Sequence, residues 1–311
     1  MMNIHNAGGN YYNDMRINID AAFDSLPEMG KKKAAKRNLA VFNKMKILAD
    51  AMWIKFNRME AMVITGQRRD WFNEFKAFWS EMLGGRPLNI MDFHMLRMWY
   101  RIKNQSVEQL NWDTIEEHMD NWKKDENISM IFSQLYGNAL SPHRQLPFVH
   151  KNSRVLEYGC SHAPYYRSYR KYYNHKKAKW VLADIKNISY LFSMYTYRND
   201  CDIERMIIID EQNADNPLND IEGKFDVIIL TTVLEHLHKP QAIVEMLLNH
   251  LTGGGYFIFD YVKSEATGLD SRQGLEQRLE TLKWIKEKTV LVKGNLDNIE
   301  ESVSLCIVRK K

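Results

Sequence analysis

Cysteine is scarce in this chain: Cys160, Cys201 and Cys306 are the three present in 311 residues, and no two of them stand in a Cys-x-x-Cys spacing. That argues against a disulfide scaffold and a structural zinc site, and it suits a reducing compartment. No uninterrupted apolar run approaches the roughly 20 residues that span a bilayer, so no membrane partner is expected. The first ten residues are polar and contain glycine, with no basic stretch leading into an apolar one, which argues against a secretory signal. A soluble, cytoplasmic protein is expected. An excess of one charge is also missing. The 43 basic and 39 acidic residues are interspersed, and a net charge of +4 disfavours a nucleic-acid partner.

What is present suffices for a large core: 45% of residues are hydrophobic, 12% are aromatic and 17 are methionine, a composition of packed domains and not of disorder. After a polar start broken by Pro27 and Gly30, apolar residues recur at helical spacing from Lys31 to Thr65, with Gly66 placed as a C-terminal cap. A second helix is expected from Gln67 to Leu83, with Trp71, Phe72, Phe75, Phe78, Trp79 and Met82 on one face, and a third from Asn89 to Lys103. Ser106 and Asp113 are placed as N-caps of short helices, the latter in a capping box with Glu116, and another helix is expected over Ile128 to Leu140. The cluster Lys31, Lys32, Lys33, Lys36 and Arg37 reads as the solvated first turn of a helix, since no basic stripe continues it. The aromatic face at 71–79 reads as core, because its spacing is that of one buried helix side. An all-helical domain, 1–146, is expected to serve as a lid, a substrate platform or an interaction surface.

From about Ser153 the pattern changes to strands alternating with helices. Arg154 to Tyr158 is a short apolar run with a carboxylate, Glu157, near its end. It leads through Gly159, Cys160, Ser161, His162 and Ala163 into a helix starting near Pro164. A second strand, Lys179 to Ile185, carries Asp184 at its end; a third runs from Arg205 to Asp210 and is followed by Gln212 and Asn213; a fourth, opened by Phe225-Asp226, runs into Thr231 and then Leu234-Glu235-His236. The segment Leu251 to Phe259 reads as a glycine turn and a fifth strand. Helices are expected at Asn187 to Tyr197, Pro240 to Leu251 and Arg272 to Lys288, and two terminal strands at Thr289 to Val292 and Ser302 to Val308. There is no Gly-Lys-Ser/Thr ending for a phosphate loop, and a dinucleotide fingerprint would place glycine at 161.

These ordered segments resemble the motifs of class I S-adenosylmethionine-dependent methyltransferases, with the Leu-Glu-His motif of the small-molecule branch as the most specific match. Ser161 and Ala163 stand where that family often has its second and third glycines. The resemblance covers residues 147–311 and implies an α/β fold: a Rossmann-like, seven-stranded, mostly parallel sheet preceded by the helical domain. It implies S-adenosyl-L-methionine as cofactor, with the backbone of Gly159, Ser161 and Ala163 around its methionine part and Glu157 supporting the loop and the cofactor's amino group. It places Asp184 on the ribose hydroxyls, Ile185 against the adenine and Thr231 at the methionine end. The adenine amino contact is left open among Asp210, Gln212 and Asn213.

Glu235 and His236 are the candidates for a catalytic base, with an architectural role for the pair as the alternative. Related enzymes sometimes hold a divalent metal with such a pair, but Thr232 stands where the most similar metal pattern has a glutamate, so no metal is expected. The implied partner is a small-molecule methyl acceptor, bearing a hydroxyl or less favourably an amine. A nucleic-acid methyltransferase is weighed against by the absence of an Asn-Pro-Pro-Tyr or Pro-Cys motif, and a cofactor-binding module without turnover is the third alternative.

Overall fold

The computed structural model describes residues 69–83, 88, 114–123, 143–263 and 269–311. The helices expected over 31–65, 89–103 and 128–140, the basic cluster at 31–37 and the caps at Ser106 and Asp113 lie outside the described residues. The chain forms two compact units, 1–106 with 125–138, and 107–124 with 139–311.

In the first unit, helix α1 (Arg69–Phe78) continues into a wider π-type turn, Trp79–Leu83. Its aromatic residues are core, as their spacing requires: Trp71, Phe72, Phe75, Phe78 and Trp79 are buried, and Trp71 stacks on Phe75 with ring centroids 5.3 Å apart.

The second unit contains α2 (Ile115–Lys123), which lies on the amino-terminal side of the boundary expected at 146/147 yet packs Met119 into the same core as the sheet. Its N-cap is Thr114, whose hydroxyl accepts from the Glu117 N–H at 3.2 Å. A hydroxyl at 114 thus satisfies an N–H of the first turn, while Asp113, the first residue of the expected capping box, lies outside the described residues.

The sheet unit then alternates β1 (Arg154–Tyr158), α3 (Pro164–Tyr172), β2 (Lys179–Ile185), α4 (Ile188–Tyr197), β3 (Ile203–Ile209), β4 (Phe225–Leu230), α5 (Pro240–Asn249) and β5 (Leu251–Tyr261). The helix expected over 272–288 divides at Gln277 into α6 (Arg272–Glu276) and α7 (Arg278–Lys288), because Ser271 caps a first short helix through the Gly274 N–H and a new one begins two residues after its end. Strands β6 (Thr289–Lys293) and β7 (Val303–Lys310) close the sheet.

The seven strands lie in the order β3-β2-β1-β4-β5-β7-β6. The first five are parallel, and β7 runs antiparallel between β5 and β6. Strands β1, β2 and β4 are almost continuously apolar because both of their faces are covered, as in any central parallel strand. The Thr252–Gly255 segment is no separate turn. It is a bulge within β5, which pairs Leu251 with Phe225 and next Tyr256 with Val227. Chain order reverses between β1 and β4, so the loops leaving these two strands part there and frame a crevice at their carboxyl ends, the place where open α/β sheets bind ligands.

Candidate active site

The loop leaving β1 is left-handed at three alternate positions, with φ of 63° at Gly159 and 50° at both Ser161 and Ala163. These are the positions the sequence marks for close backbone approach. Serine and alanine hold there a conformation that costs a non-glycine residue about 1–2 kcal/mol, and the loop is held by bonds that offset that cost. The Gly159 N–H donates to Ala183 O at 2.8 Å, the Ala163 N–H to Cys160 O at 2.7 Å, and the Ser193 hydroxyl to Ser161 O at 2.8 Å. At Gly159 there is no room for a side chain: a Cβ would lie 2.3 Å from Val233 Cγ2, in the loop after β4. The two loops thus meet over the switch point.

Glu157 is buried at the end of β1 and accepts from the N–H groups of Tyr165 at 3.1 Å and Tyr166 at 2.9 Å. Its carboxyl occupies the first turn of α3, where unsatisfied N–H groups and the helix dipole favour an anion. Burial pushes its pKa up to about 8 against those donors.

Asp184, at the end of β2, accepts from the Ser161 N–H at 2.5 Å through Oδ2, and from the Ile185 N–H at 2.7 Å and the Asn187 amide at 3.4 Å through Oδ1. A carboxylate has about four lone-pair positions, so one remains on Oδ2, enough for a single hydroxyl. Burial pushes this group to about 7. Ile185 follows it and packs against the central core cluster.

After β3 the three candidates for the adenine contact separate by role. Asp210 Oδ1 accepts from the Gln212 and Asn213 N–H groups at 3.0 and 3.2 Å, while Asn213 accepts from the Asp210 N–H at 2.9 Å and donates to Ile208 O at 2.9 Å. Asp210 and Asn213 lock the turn on each other, and Gln212 is left exposed on its surface.

Beyond β4, Thr231 stands beside Tyr165 of α3, where it offsets part of the rise that burial gives the tyrosine hydroxyl. The next residue, Thr232, is left-handed, and its N–H donates to Asp260 Oδ1 of β5 at 2.5 Å. Glu235 and His236 sit in the single turn Leu234–His236. They are no hydrogen-bonded pair, since Glu235 Oε1 and His236 Nε2 are 4.0 Å apart. Instead His236 Nδ1 lies 2.9 Å from Asp270 Oδ1 and 3.1 Å from Leu269 O. Burial works against the charged ring, but the Asp270 hydrogen bond, the charges of Glu235 and Asp270 and the Leu269 carbonyl outweigh it and raise the pKa of His236. Glu235 is itself buried, which pushes it to about 7, and its Oε2 has no hydrogen-bond partner among the described residues. Among the described residues no group of three or more His, Cys, Asp or Glu is arranged to hold a metal ion, and no helix is long and apolar enough to cross a membrane.

Sequence patterns single out neither Asp270 nor Asp260. Both are acids outside any recognisable motif, brought to the site by chain pairing alone.

The buried carboxyls carry a pH dependence. Unfolded, they ionise near pH 4, whereas folded Asp184 and Glu235 keep their protons to about 7. The folded state therefore binds more protons between these values, so the stability these groups contribute is full below pH 4 and is lost as pH rises towards 7. Glu235→Gln, which cannot ionise, is expected to flatten the fall in melting temperature between pH 4.5 and 7.5, by the equivalent of about 1–3 kcal/mol. Parallel melting curves for the two proteins over that range would contradict the assignment.

The chain matches the family model described as a methyltransferase domain over residues 134–293, just over half of its length, and it belongs to that family. No curated protein matches it. Among solved structures it is similar to TehB from Haemophilus influenzae, at 18% identity over 58% of this chain and 66% of that one with a TM-score of 0.40. It is also similar to the SAH-bound methyltransferase PaMTH1 from Podospora anserina, at 16% identity over 70% and 87% of the two chains with a TM-score of 0.40. For the pyocyanin biosynthetic protein PhzM the values are 10% identity over 64% and 62%, with a TM-score of 0.42. The chain spans just under two thirds of the length of TehB and of PhzM. It carries an S-adenosylmethionine-dependent methyltransferase domain, and S-adenosylmethionine is its cofactor. The residues at the switch point fit that group: a backbone cradle that a Cβ at Gly159 would fill, and a strand-end acid, Asp184, with one acceptor position to spare.

Proposed function

We propose that the protein methylates a hydroxyl of a small metabolite or sugar-containing intermediate, with His236 as the general base. The observation that carries this reading is His236 itself: its Nδ1 is engaged by Asp270 at 2.9 Å, while its Nε2 stands 4.0 Å from Glu235, out of hydrogen-bond reach. An imidazole held in that way accepts a proton at Nε2, which is what an alcohol must lose as its oxygen is methylated and what an already nucleophilic neutral amine does not require beforehand.

Bound S-adenosylmethionine supplies an electrophilic methyl group on a positively charged sulfur. The chain's own residues bind and orient. In this reading the backbone of Gly159, Ser161 and Ala163 cradles the methionine part, and Glu157 stiffens the cradle through α3. Asp184 accepts from one ribose hydroxyl, Ile185 lies against the adenine, and Gln212, the exposed member of its turn, reaches the adenine amino group. Thr231 bounds the methionine end. His236 Nε2 would take the acceptor's proton, so that the O–H bond breaks as the O–CH3 bond forms, while the bond from the methyl carbon to sulfur breaks and its electron pair stays on the sulfur as a neutral thioether.

Incubating the protein with methyl-labelled cofactor and a fractionated cell extract should label the small-molecule fraction. His236→Ala should slow that transfer by about 10²–10⁴-fold, the usual weight of a general base, with cofactor affinity unchanged. Label recovered in nucleic acid, or a His236→Ala protein as fast as the wild type, would overturn the reading.

A further inference from the structure

We infer that Asp270 is a positioning residue for His236, fixing the ring in the tautomer that carries its proton on Nδ1 and offers Nε2 as the proton acceptor. The inference rests on His236 being the base, and it concerns how that base is prepared.

The geometry at Nδ1 admits one arrangement. The two atoms that face it, Asp270 Oδ1 at 2.9 Å and Leu269 O at 3.1 Å, are both acceptors. Only an N–H can satisfy them, whereas a lone pair on Nδ1 would meet a carboxylate and a carbonyl head-on. Among the described residues Nε2 has no comparable claim on it, the Glu235 carboxyl being 4.0 Å away. The ring plane is set from the side by Trp122 of α2, packed edge-on with centroids 5.1 Å apart and planes at 78°.

The alternative, that Asp270 merely ties its own segment down, is answered by the bonds around it. The Ser271 N–H donates to Glu235 O at 2.9 Å, and the Ser271 hydroxyl donates to Leu237 O at 2.6 Å while accepting from the Gly274 N–H at 2.8 Å. Gly274 lies so close that a Cβ on it would be 2.4 Å from Glu235 O, and its carbonyl accepts from the Tyr261 hydroxyl at 2.5 Å. The segment bearing Asp270 is thus fastened to the turn bearing His236 through backbone and Ser271. That fastening does not depend on the Asp270 carboxylate, whose Oδ1 lies against His236 Nδ1.

Other charged and titratable groups face the same ring: Glu235 on its own turn, Asp260 at the end of β5, Asp184 at the end of β2 and His118 on α2. Of the acids among the described residues, Asp270 alone is within hydrogen-bond distance of a ring nitrogen. When Nε2 takes the acceptor's proton the ring becomes a cation, and Asp270 offsets that charge without taking a proton itself, as an orienting carboxylate does in a hydrolytic triad.

Nitrogen-15 NMR of the full chain with labelled histidine, the His236 signals being assigned by their loss in His236→Gln, reads the tautomer and the titration directly. The wild type should show the Nδ1–H form. Asp270→Asn should lower the pKa of His236 by about one pH unit or more, the scale of a lost neighbouring charge, and admit the other tautomer, because the amide can donate as well as accept. Asp270→Glu should restore most of both. Cofactor affinity should stay within about twofold throughout. A wild-type ring carrying its proton on Nε2, or an Asp270→Asn protein with unchanged tautomer and titration, would overturn the inference. If the NMR response is as expected but His236→Gln transfers methyl groups at the wild-type rate, the role of Asp270 stands and the reading of His236 as the base falls.

Discussion

Gly159→Ala is expected to destabilise the protein by about 2–5 kcal/mol and to abolish measurable cofactor binding. Two costs add. A side chain at φ 63° is held in the left-handed region, at about 1–2 kcal/mol. The new Cβ would also overlap Val233, whose Cγ2, Cγ1 and Cβ would stand 2.3, 2.9 and 3.2 Å away, and forced overpacking of this kind costs about 1–3 kcal/mol. Because Val233 belongs to the loop after β4, relieving the overlap moves one wall of the crevice against the other, so binding suffers beyond stability. The two costs separate experimentally: Gly159→Ala combined with Val233→Ala removes both Cγ atoms and should recover the packing part but not the conformational part. Urea denaturation measures both. A single variant within about 0.5 kcal/mol of wild type, the range of inconsequential substitutions, would mean that the loop adapts freely and is no rigid cradle.

Asp184→Ala is expected to weaken S-adenosylmethionine binding by about 1.5–3 kcal/mol, the scale for a lost hydrogen bond to a charged group, which is roughly 10–150-fold in dissociation constant. The substitution also strips an acceptor from the Ser161 and Ile185 N–H groups, so the loop itself should loosen, and the melting temperature without cofactor reports that part separately. Asp184→Asn keeps one acceptor oxygen and should fall between the two proteins in both measurements. Calorimetry that returned a wild-type dissociation constant for a folded Asp184→Ala protein would transfer the ribose contact to another residue. The stakes are unequal for the neighbouring acid: Glu157 already has both oxygens on the N–H groups of Tyr165 and Tyr166, so its loss should register more in the stability of α3 than in affinity.

Much of this molecule was legible in the chain itself. Strands β1, β2 and β4 announce themselves as unbroken apolar runs, since a parallel strand covered on both faces has no polar side to alternate with. The residues at their ends follow from the same fact, because a strand must leave the core where its run stops, and that is where Glu157, Gly159, Asp184 and Thr231 stand. Helix α4, with nine of its residues buried, is expected from its place after the second strand, and it opens on Asn187, whose side chain accepts from the Tyr190 N–H at 2.9 Å as an N-cap. What sequence pattern left open is the pairing of groups far apart along the chain. Three candidates for the adenine contact look alike as residues, and only the turn that Asp210 and Asn213 close on each other leaves Gln212 outward. Ser161 and Ala163 depart from the glycine pattern in composition, yet the loop adopts the left-handed backbone at both: the Ser161 N–H donates to Asp184 and its carbonyl accepts from Ser193, while the Ala163 N–H donates to Cys160 O.

The sequence by itself determined the order of strands and helices and the acids and small residues at the strand ends, all of which follow from local periodicity and steric freedom. The tertiary structure alone decided that His236 turns from its neighbour Glu235 to Asp270, on a segment whose Leu269 carbonyl lies 33 residues further along the chain. No local rule favours that contact. It exists because β4 and β5 lie side by side in the sheet, and the segment after β5 is fastened back across the end of β4 by Ser271 and Gly274.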